Sequence, residues 1–167
     1  YGIYSGYELC ENEGIPGTEG NVPCGGNVPC GGNVPCEEYV DSEKYRIKVR
    51  DWNRQPNIKA FITCVNKARQ ENPALHLLTN LTFLETNNDQ ILAYMKRTTD
   101  LDNVIIVVVN LDPYKAQSGN VRLPYKDVKV VDLLTDAQYK WSEQNAVYLD
   151  PQVAPGHLFC VEGKIEE

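Results

Sequence analysis

The sequence predicts a mainly β chain, with an antiparallel β-sandwich over its C-terminal part and one helix ahead of it. Two observations predict this. From about Leu77 onward, short apolar or alternating segments recur at close spacing, separated by Asn, Asp, Gly and Pro, the pattern of many short strands joined by tight turns. Between Asn57 and Pro73, by contrast, Ile58, Phe61, Ile62 and Val65 recur at the spacing of one helical face.

The helix has signals at both ends. Asn57, after Pro56, is placed to cap it, because an asparagine side chain accepts the first free backbone N–H groups. Lys59, Asn66, Lys67 and Arg69 lie largely off the apolar face, and the later basic residues suit the C-terminal end of the helix dipole. Pro73 stops the helix, and Asn72 before it is pushed toward extended geometry.

The strands follow in order. Leu81 to Leu84 is short and apolar, Thr86 to Asp89 is a turn, and Gln90 to Arg97 is a second strand. Val104 to Asn110 is a continuous β-branched run, as expected of a strand buried on both faces or central in a sandwich. Asp112-Pro113 breaks it. Further strands are expected at Asn120–Leu123, Val128–Leu134, Gln138–Trp141, Ala146–Leu149 and His157–Glu162.

Before about Asn57 the chain is irregular. Tyr1, Ile3, Tyr4 and Tyr7, interspersed with Gly2 and Gly6, read like a buried strand, yet no candidate partner strand follows for many residues. A lone strand is not stable, so the expectation is a fragment of something longer. Asn21-Val-Pro-Cys-Gly-Gly is followed by Asn27-Val-Pro-Cys-Gly-Gly and Asn33-Val-Pro-Cys36. Proline at every sixth residue with glycine pairs between opposes both helix and ladder, so residues 20–36 read as an exposed loop of low complexity.

Bulk properties exclude several functions. The chain has 167 residues and a net charge of −7, and an acidic surface repels phosphate backbones and anionic lipid heads, which argues against nucleic-acid and membrane partners. No apolar run approaches the roughly 20 residues a spanning helix needs. Cys24, Cys30 and Cys36 are separated by five residues each, unlike the closer pairs of zinc sites, so no metal is expected. Disulfides would need an oxidising compartment, and a cytoplasmic protein is the expectation. Cys64 and Cys160 read as small core residues. His76 and His157 lack a serine or acid at suggestive spacing and read as structural. Trp52 and Trp141 could stack on sugar rings, with Tyr139 on the same face as Trp141; packing is the stronger reading for both tryptophans. Asn80-Leu-Thr82 matches a glycosylation acceptor, a frequent accidental match.

Three segments carry a family resemblance. Tyr1-Gly-Ile-Tyr-Ser-Gly-Tyr-Glu-Leu-Cys-Glu11 resembles the eighth barrel strand and following loop of the alpha-amylase superfamily. It is especially similar to the maltosyltransferases that move maltose from maltose-1-phosphate onto α-1,4-glucan. Glu38-Tyr-Val-Asp-Ser-Glu-Lys-Tyr45, with Arg50-Asp-Trp52, Asn57-Ile-Lys59 and Arg69 to Leu75, resembles the same family's route into the last barrel helix. Val104 to Pro113 resembles the core strand of its C-terminal β-sandwich. The resemblance covers nearly the whole chain except the repeat, where family members pass with a much shorter loop.

The resemblance implies two parts: residues 1–75, the last strand, loop and helix of a truncated (β/α)8 barrel, and residues 76–167, an all-β sandwich packed on it. Retaining glycosyl transfer uses two carboxyl groups flanking the anomeric carbon. The family places its catalytic carboxylates on earlier barrel strands, all upstream of Tyr1, so no catalytic residue and no cofactor is expected here. Glu8 and Glu11, after the opening segment, read as solvated loop acids. Lys44 and Tyr45 are implied to border the donor-sugar subsite of the intact enzyme, the lysine donating to hydroxyls and the tyrosine adding a hydroxyl and a ring face. The implied partners are the upstream barrel and, in the intact enzyme, the α-glucan and the maltosyl donor, with a homodimer open for the parent. Alternatives are a stand-alone carbohydrate-binding sandwich with exposed aromatics such as Trp141, a cysteine-repeat metal or redox module, and a fragment of a related α-glucan hydrolase.

Overall fold

The structure is a computed structural model and describes residues 2–3, 5–11, 47–163 and 165. It divides into two compact units, Tyr1–Ala60 and Phe61–Glu167. The Asn-Val-Pro-Cys-Gly-Gly repeat lies outside the described residues, as do Lys44 and Tyr45.

In the first unit, a turn at Ser5–Gly6 leads into a single 3₁₀ turn, Tyr7–Leu9, with Leu9 buried. The strand expected over Tyr1–Tyr7 is not formed by the described residues of that stretch. The reason is local: Gly6 sits at φ 102, a left-handed conformation that ends extended backbone. The N–H groups of Leu9 and Glu11 both return to the Gly6 carbonyl, at 3.1 Å each. Further along, the Ile58 N–H donates to the Glu8 carbonyl at 2.9 Å, tying this turn to the approach to the helix.

Helix α1 spans Lys59–Glu71 and belongs to the second unit from Phe61 onward. Its expected start holds: Asn57 Oδ1 accepts the Lys59 N–H at 3.4 Å. Its stop holds too. Asn72 is extended, at φ −120 and ψ 101, and Pro73–Leu75 forms a separate 3₁₀ turn. Arg69 donates to the Leu75 carbonyl at 2.8 Å and His76 Nε2 meets the Arg69 carbonyl at 2.7 Å, so side chains on both sides tie the helix end to the turn that follows it.

Eight strands follow: β1 (Leu81–Phe83), β2 (Ile91–Arg97), β3 (Val104–Asn110), β4 (Gln117–Arg122), β5 (Val128–Asp132), β6 (Gln138–Trp141), β7 (Gln144–Leu149) and β8 (Gly156–Val161). Six form one antiparallel sheet in the order β1-β2-β3-β8-β5-β6, and β4 pairs with β7 in a separate ribbon. The last strand is therefore not an edge. β8 lies between β3 and β5, with Ile106 opposite Phe159 and Phe159 opposite Asp132.

Alternation of side chains across the pleat sorts the sheet into two apolar faces. Ile91, Ala93, Met95, Ile106, Val108, Val130, Trp141, Phe159 and Val161 form one buried cluster with Val121 and Leu123, on and just after β4, and with Val147 and Leu149 of β7. The ribbon thus covers the inner face. Ile105, Val107 and Leu158 point the other way and join Ala68 of α1 and Ala74 of the 3₁₀ turn. Strand β3 serves both faces at once, the physical reason for its unbroken β-branched run.

Polar groups anchor the loops. Asn110 is buried at the end of β3, and its Nδ2 donates to the carbonyls of Lys115 at 2.9 Å and Leu149 at 3.1 Å. The ribbon is held along β4 as well: Arg122 N–H donates to the Glu85 carbonyl at 2.9 Å, and Asn120 N–H to Asn87 Oδ1 at 2.6 Å.

Candidate functional site

The described structure assembles two clusters of chemically capable side chains, one in each unit. In the first unit, Glu11 accepts from Arg50 Nε, at 3.2 Å to both carboxylate oxygens, and from Lys48 Nζ at 3.3 Å. Arg50 also reaches the Ser5 carbonyl at 3.4 Å. Glu8 has a different task, with its Oε2 accepting the Gly6 N–H at 3.2 Å. Glu11 is thus an ion-paired residue, not the solvated loop acid that sequence reading expects. Partial burial pushes its carboxyl upward, but the bonds and charges of Arg50 and Lys48 outweigh that and hold it below the ordinary glutamate value. Replacing Arg50 with methionine is expected to move the Glu11 titration upward, read by carbon-13 NMR of the carboxyl group. An unchanged titration would mean that the ion pair does not hold in solution.

In the second unit, Asp132 and His157 meet although they stand 25 positions apart. Asp132 ends β5 and is completely buried. Its Oδ2 lies 2.9 Å from His157 Nδ1 and accepts the Thr135 hydroxyl at 2.8 Å. Its Oδ1 accepts the N–H groups of Leu134 at 3.1 Å and Leu158 at 3.3 Å. Four donors around one carboxylate satisfy a buried anion. An ionised carboxylate can only accept, so His157 carries a proton on Nδ1. The imidazole stacks on Phe159, with ring centroids 5.2 Å apart. The arrangement clasps the turn after β5 to the start of β8, with Asp136 at φ 59 completing that turn.

Sequence reading misses this pair, since it looks for an acid close to His157 along the chain. A usable signal exists: Asp132 sits within Val-Lys-Val-Val-Asp-Leu-Leu, and a carboxylate in so apolar a strand requires a partner.

The other candidates divide. Trp141 is 6% exposed and packs on Phe159 at 4.6 Å between centroids, so it is a core residue. Tyr139, two residues earlier on the same face, meets Phe159 edge-on at 5.8 Å and is partly exposed. Trp52 is half-exposed, and its carbonyl accepts Lys59 Nζ. Asn80 is tied into the fold, its Nδ2 donating to the carbonyls of Ala74 and Arg97 at 2.9 Å each. Cys64 donates to the Leu133 carbonyl at 3.2 Å, and burial pushes the Cys160 thiol up, which leaves it a poor nucleophile. Among the described residues, no group of three or more His, Cys, Asp or Glu is close enough to hold a metal ion. No helix among them is long and apolar enough to cross a membrane.

The sandwich, with its central β-branched strand and C-terminal strand inserted beside it, can be set against known proteins. Residues 83–161 match the family model for GLGE, C-terminal. The matched segment covers β2 to β8 and the end of β1. Similarity to whole relatives runs further. The chain is 40% identical over 96% of its length to the alpha-1,4-glucan:maltose-1-phosphate maltosyltransferase of Rhodospirillum rubrum, of which it covers 22%. It is 42% identical over 96% of its length to maltosyltransferase 2 of Streptomyces coelicolor, covering 23%. For the enzyme of Picrophilus torridus the identity is 39% over 97%, covering 24%. The chain therefore spans about a quarter of the length of these relatives and is similar to their C-terminal part. Among solved structures, AmyP E221Q in complex with maltotriose aligns with a TM-score of 0.53 at 18% identity, over 65% of this chain and 21% of that one. An Anoxybacillus alpha-amylase aligns at 0.52 and 11% identity, over 72% and 25%. At such identity the likeness concerns the fold: this sandwich architecture occurs within alpha-amylase chains.

Proposed function

We propose that the chain is a non-catalytic C-terminal part of a glycosyltransferase that moves maltosyl from maltose-1-phosphate to α-1,4-glucan. The observation that carries this is the 39–42% identity over nearly the whole chain to maltosyltransferases about four times as long. In this reading residues 1–75 close an upstream (β/α)8 barrel and residues 76–167 are a structural accessory sandwich. The catalytic carboxylates reside in the barrel, at the C-terminal ends of its strands. Lys44 and Tyr45 border the donor sugar there, and neither acts in this chain alone. Phe61, 51% exposed on α1, supports the reading, because an apolar helix residue left half-bare suits a further covering layer. The parent is cytoplasmic, and a homodimer is compatible with this assignment.

The burial of Trp141 weighs against a stand-alone binding module built on that residue. The test is phosphate release from maltose-1-phosphate in the presence of glycogen. The 167-residue chain alone is expected to release none. The protein joined to the upstream coding sequence of its own gene is expected to release phosphate and lengthen the glucan. Turnover by the chain alone, or none by the joined protein, would overturn the assignment.

A further inference from the structure

The ribbon of β4 and β7 has two faces, and only one is used by the core. Asn145, Val147 and Leu149 point inward and are buried, while Gln144, Ala146 and Tyr148 point outward and are exposed. On β4 the outward residues are Ser118, Asn120 and Arg122. Cross-strand register sets Ser118 opposite Tyr148, Asn120 opposite Ala146 and Arg122 opposite Gln144.

The chemistry of this face is unusual for the chain. Its net charge is −7, yet none of these six outward residues is acidic. The one cation, Arg122, is ion-paired to Glu85 at 3.2 Å and Glu143 at 3.5 Å. The remainder are an amide pair, a hydroxyl, a methyl and a tyrosine ring. Tyr148 is 63% exposed, with Ala146 two residues along the strand keeping the surface low beside it. A second ring stands at the same end of the ribbon. Tyr114 is 88% exposed, and its loop is fixed by Asp112, whose carboxylate accepts the N–H groups of Tyr114 at 2.9 Å and Lys115 at 3.1 Å and the Gln117 amide at 3.1 Å. Ser118 follows Tyr114 by four positions, no more than about 14 Å of extended chain, and Ser118 lies directly opposite Tyr148.

We propose that this outward face, with Tyr148 and Tyr114 as its aromatic supports, binds a linear α-1,4-linked glucan chain. A neutral polyol presents an apolar C–H face and a rim of hydroxyls. Exposed tyrosine rings meet the first, and Ser118, Asn120 and Gln144 meet the second with donors and acceptors. The neutrality of the patch suits an uncharged ligand over a nucleic acid or a basic protein segment. The hydrogen bonds from loop 85–88 to β4 keep the platform formed before the ligand arrives, which limits the ordering cost of binding. The choice of an α-glucan rests on the proposed maltosyltransferase parent; the existence of a sugar-binding face does not.

The test is native gel electrophoresis of the 167-residue chain through gels with and without glycogen. The expected result is retardation by glycogen, relieved by free maltoheptaose and not by cellohexaose. Y148A and Y114A are each expected to weaken the apparent affinity by about tenfold or more, and A146E to abolish it. Y139A, on the other sheet, is expected to run as the unmodified chain does. Circular dichroism checks that each variant is folded, which the exposure of all four positions favours. Absence of retardation, or retardation indifferent to Y148A and A146E, would overturn the proposal. A chain that migrates as a dimer and becomes monomeric in Y148A would assign the face to a second copy instead. Phosphate release by the joined protein tests the parent independently, so the two readings fail separately.

Discussion

Replacing Asp132 with asparagine is expected to cost the second unit about 3 kcal/mol at neutral pH. The amide keeps the size of the carboxylate but turns an NH₂ group toward donors. The carboxylate now serves four of them: His157 Nδ1, the Thr135 hydroxyl and the N–H groups of Leu134 and Leu158. At least one would be left buried and unpaired, the situation in which a lost hydrogen bond is most costly. The same substitution should flatten the response to acid. Burial pushes the Asp132 carboxyl up, but the bonds from His157, Thr135, Leu134 and Leu158 outweigh it and hold it below the ordinary aspartate value. A carboxyl with a depressed folded value stabilises fully above its unfolded value, near ~3.9, and loses that contribution as pH falls through the folded one. The unmodified chain should therefore weaken steeply below about pH 4, and the D132N chain less so. Urea denaturation followed by circular dichroism at neutral and acid pH measures both effects. A loss under about 1 kcal/mol with unchanged acid sensitivity would show that the clasp contributes little.

Truncating Trp141 to alanine is expected to cost more, about 3–5 kcal/mol. The indole is almost wholly buried against Phe159 within the cluster formed by the six-stranded sheet and the ribbon. Removing it leaves a cavity that the paired strands β5 and β6 cannot easily collapse. The expected signature is a lower denaturation midpoint in urea, with glycogen retardation at neutral pH retained by whatever fraction stays folded. A W141A chain of normal stability that no longer bound glycogen would restore Trp141 as a sugar platform and contradict its burial.

Much of the sandwich was legible along the chain. The run from Val104 to Asn110 forms β3 with the expected ends, and Gln138–Trp141 forms β6 likewise. These segments declare themselves because β-branched and aromatic residues are bounded by turn formers. The helix was legible from its period, its Asn57 cap and its Pro73 stop. Where the reading fell short, the cause was contact over long separation. Strand β4 begins at Gln117, three residues ahead of expectation, because Gln117, Ser118 and Gly119 have little strand preference and are held by pairing with β7. Glu11 looked like a loop acid until Arg50, 39 residues away, closed on it. His157 looked solitary for the same reason.

By itself, then, the sequence determined the class of this protein: local period and turn chemistry placed the helix and the strands, and its opening and central motifs pointed to the maltosyltransferase family. Only the tertiary structure decided which strands are neighbours, that β8 enters between β3 and β5, and which side chains share a face. Those choices decided that Trp141 is core, that Asp132 and His157 are partners, and that Tyr148 faces outward beside Ser118. The physical reason is one of range. Backbone preference and amphipathic period act over a few residues, whereas strand order and buried polar pairing arise from contacts between residues tens of positions apart, which no local pattern encodes.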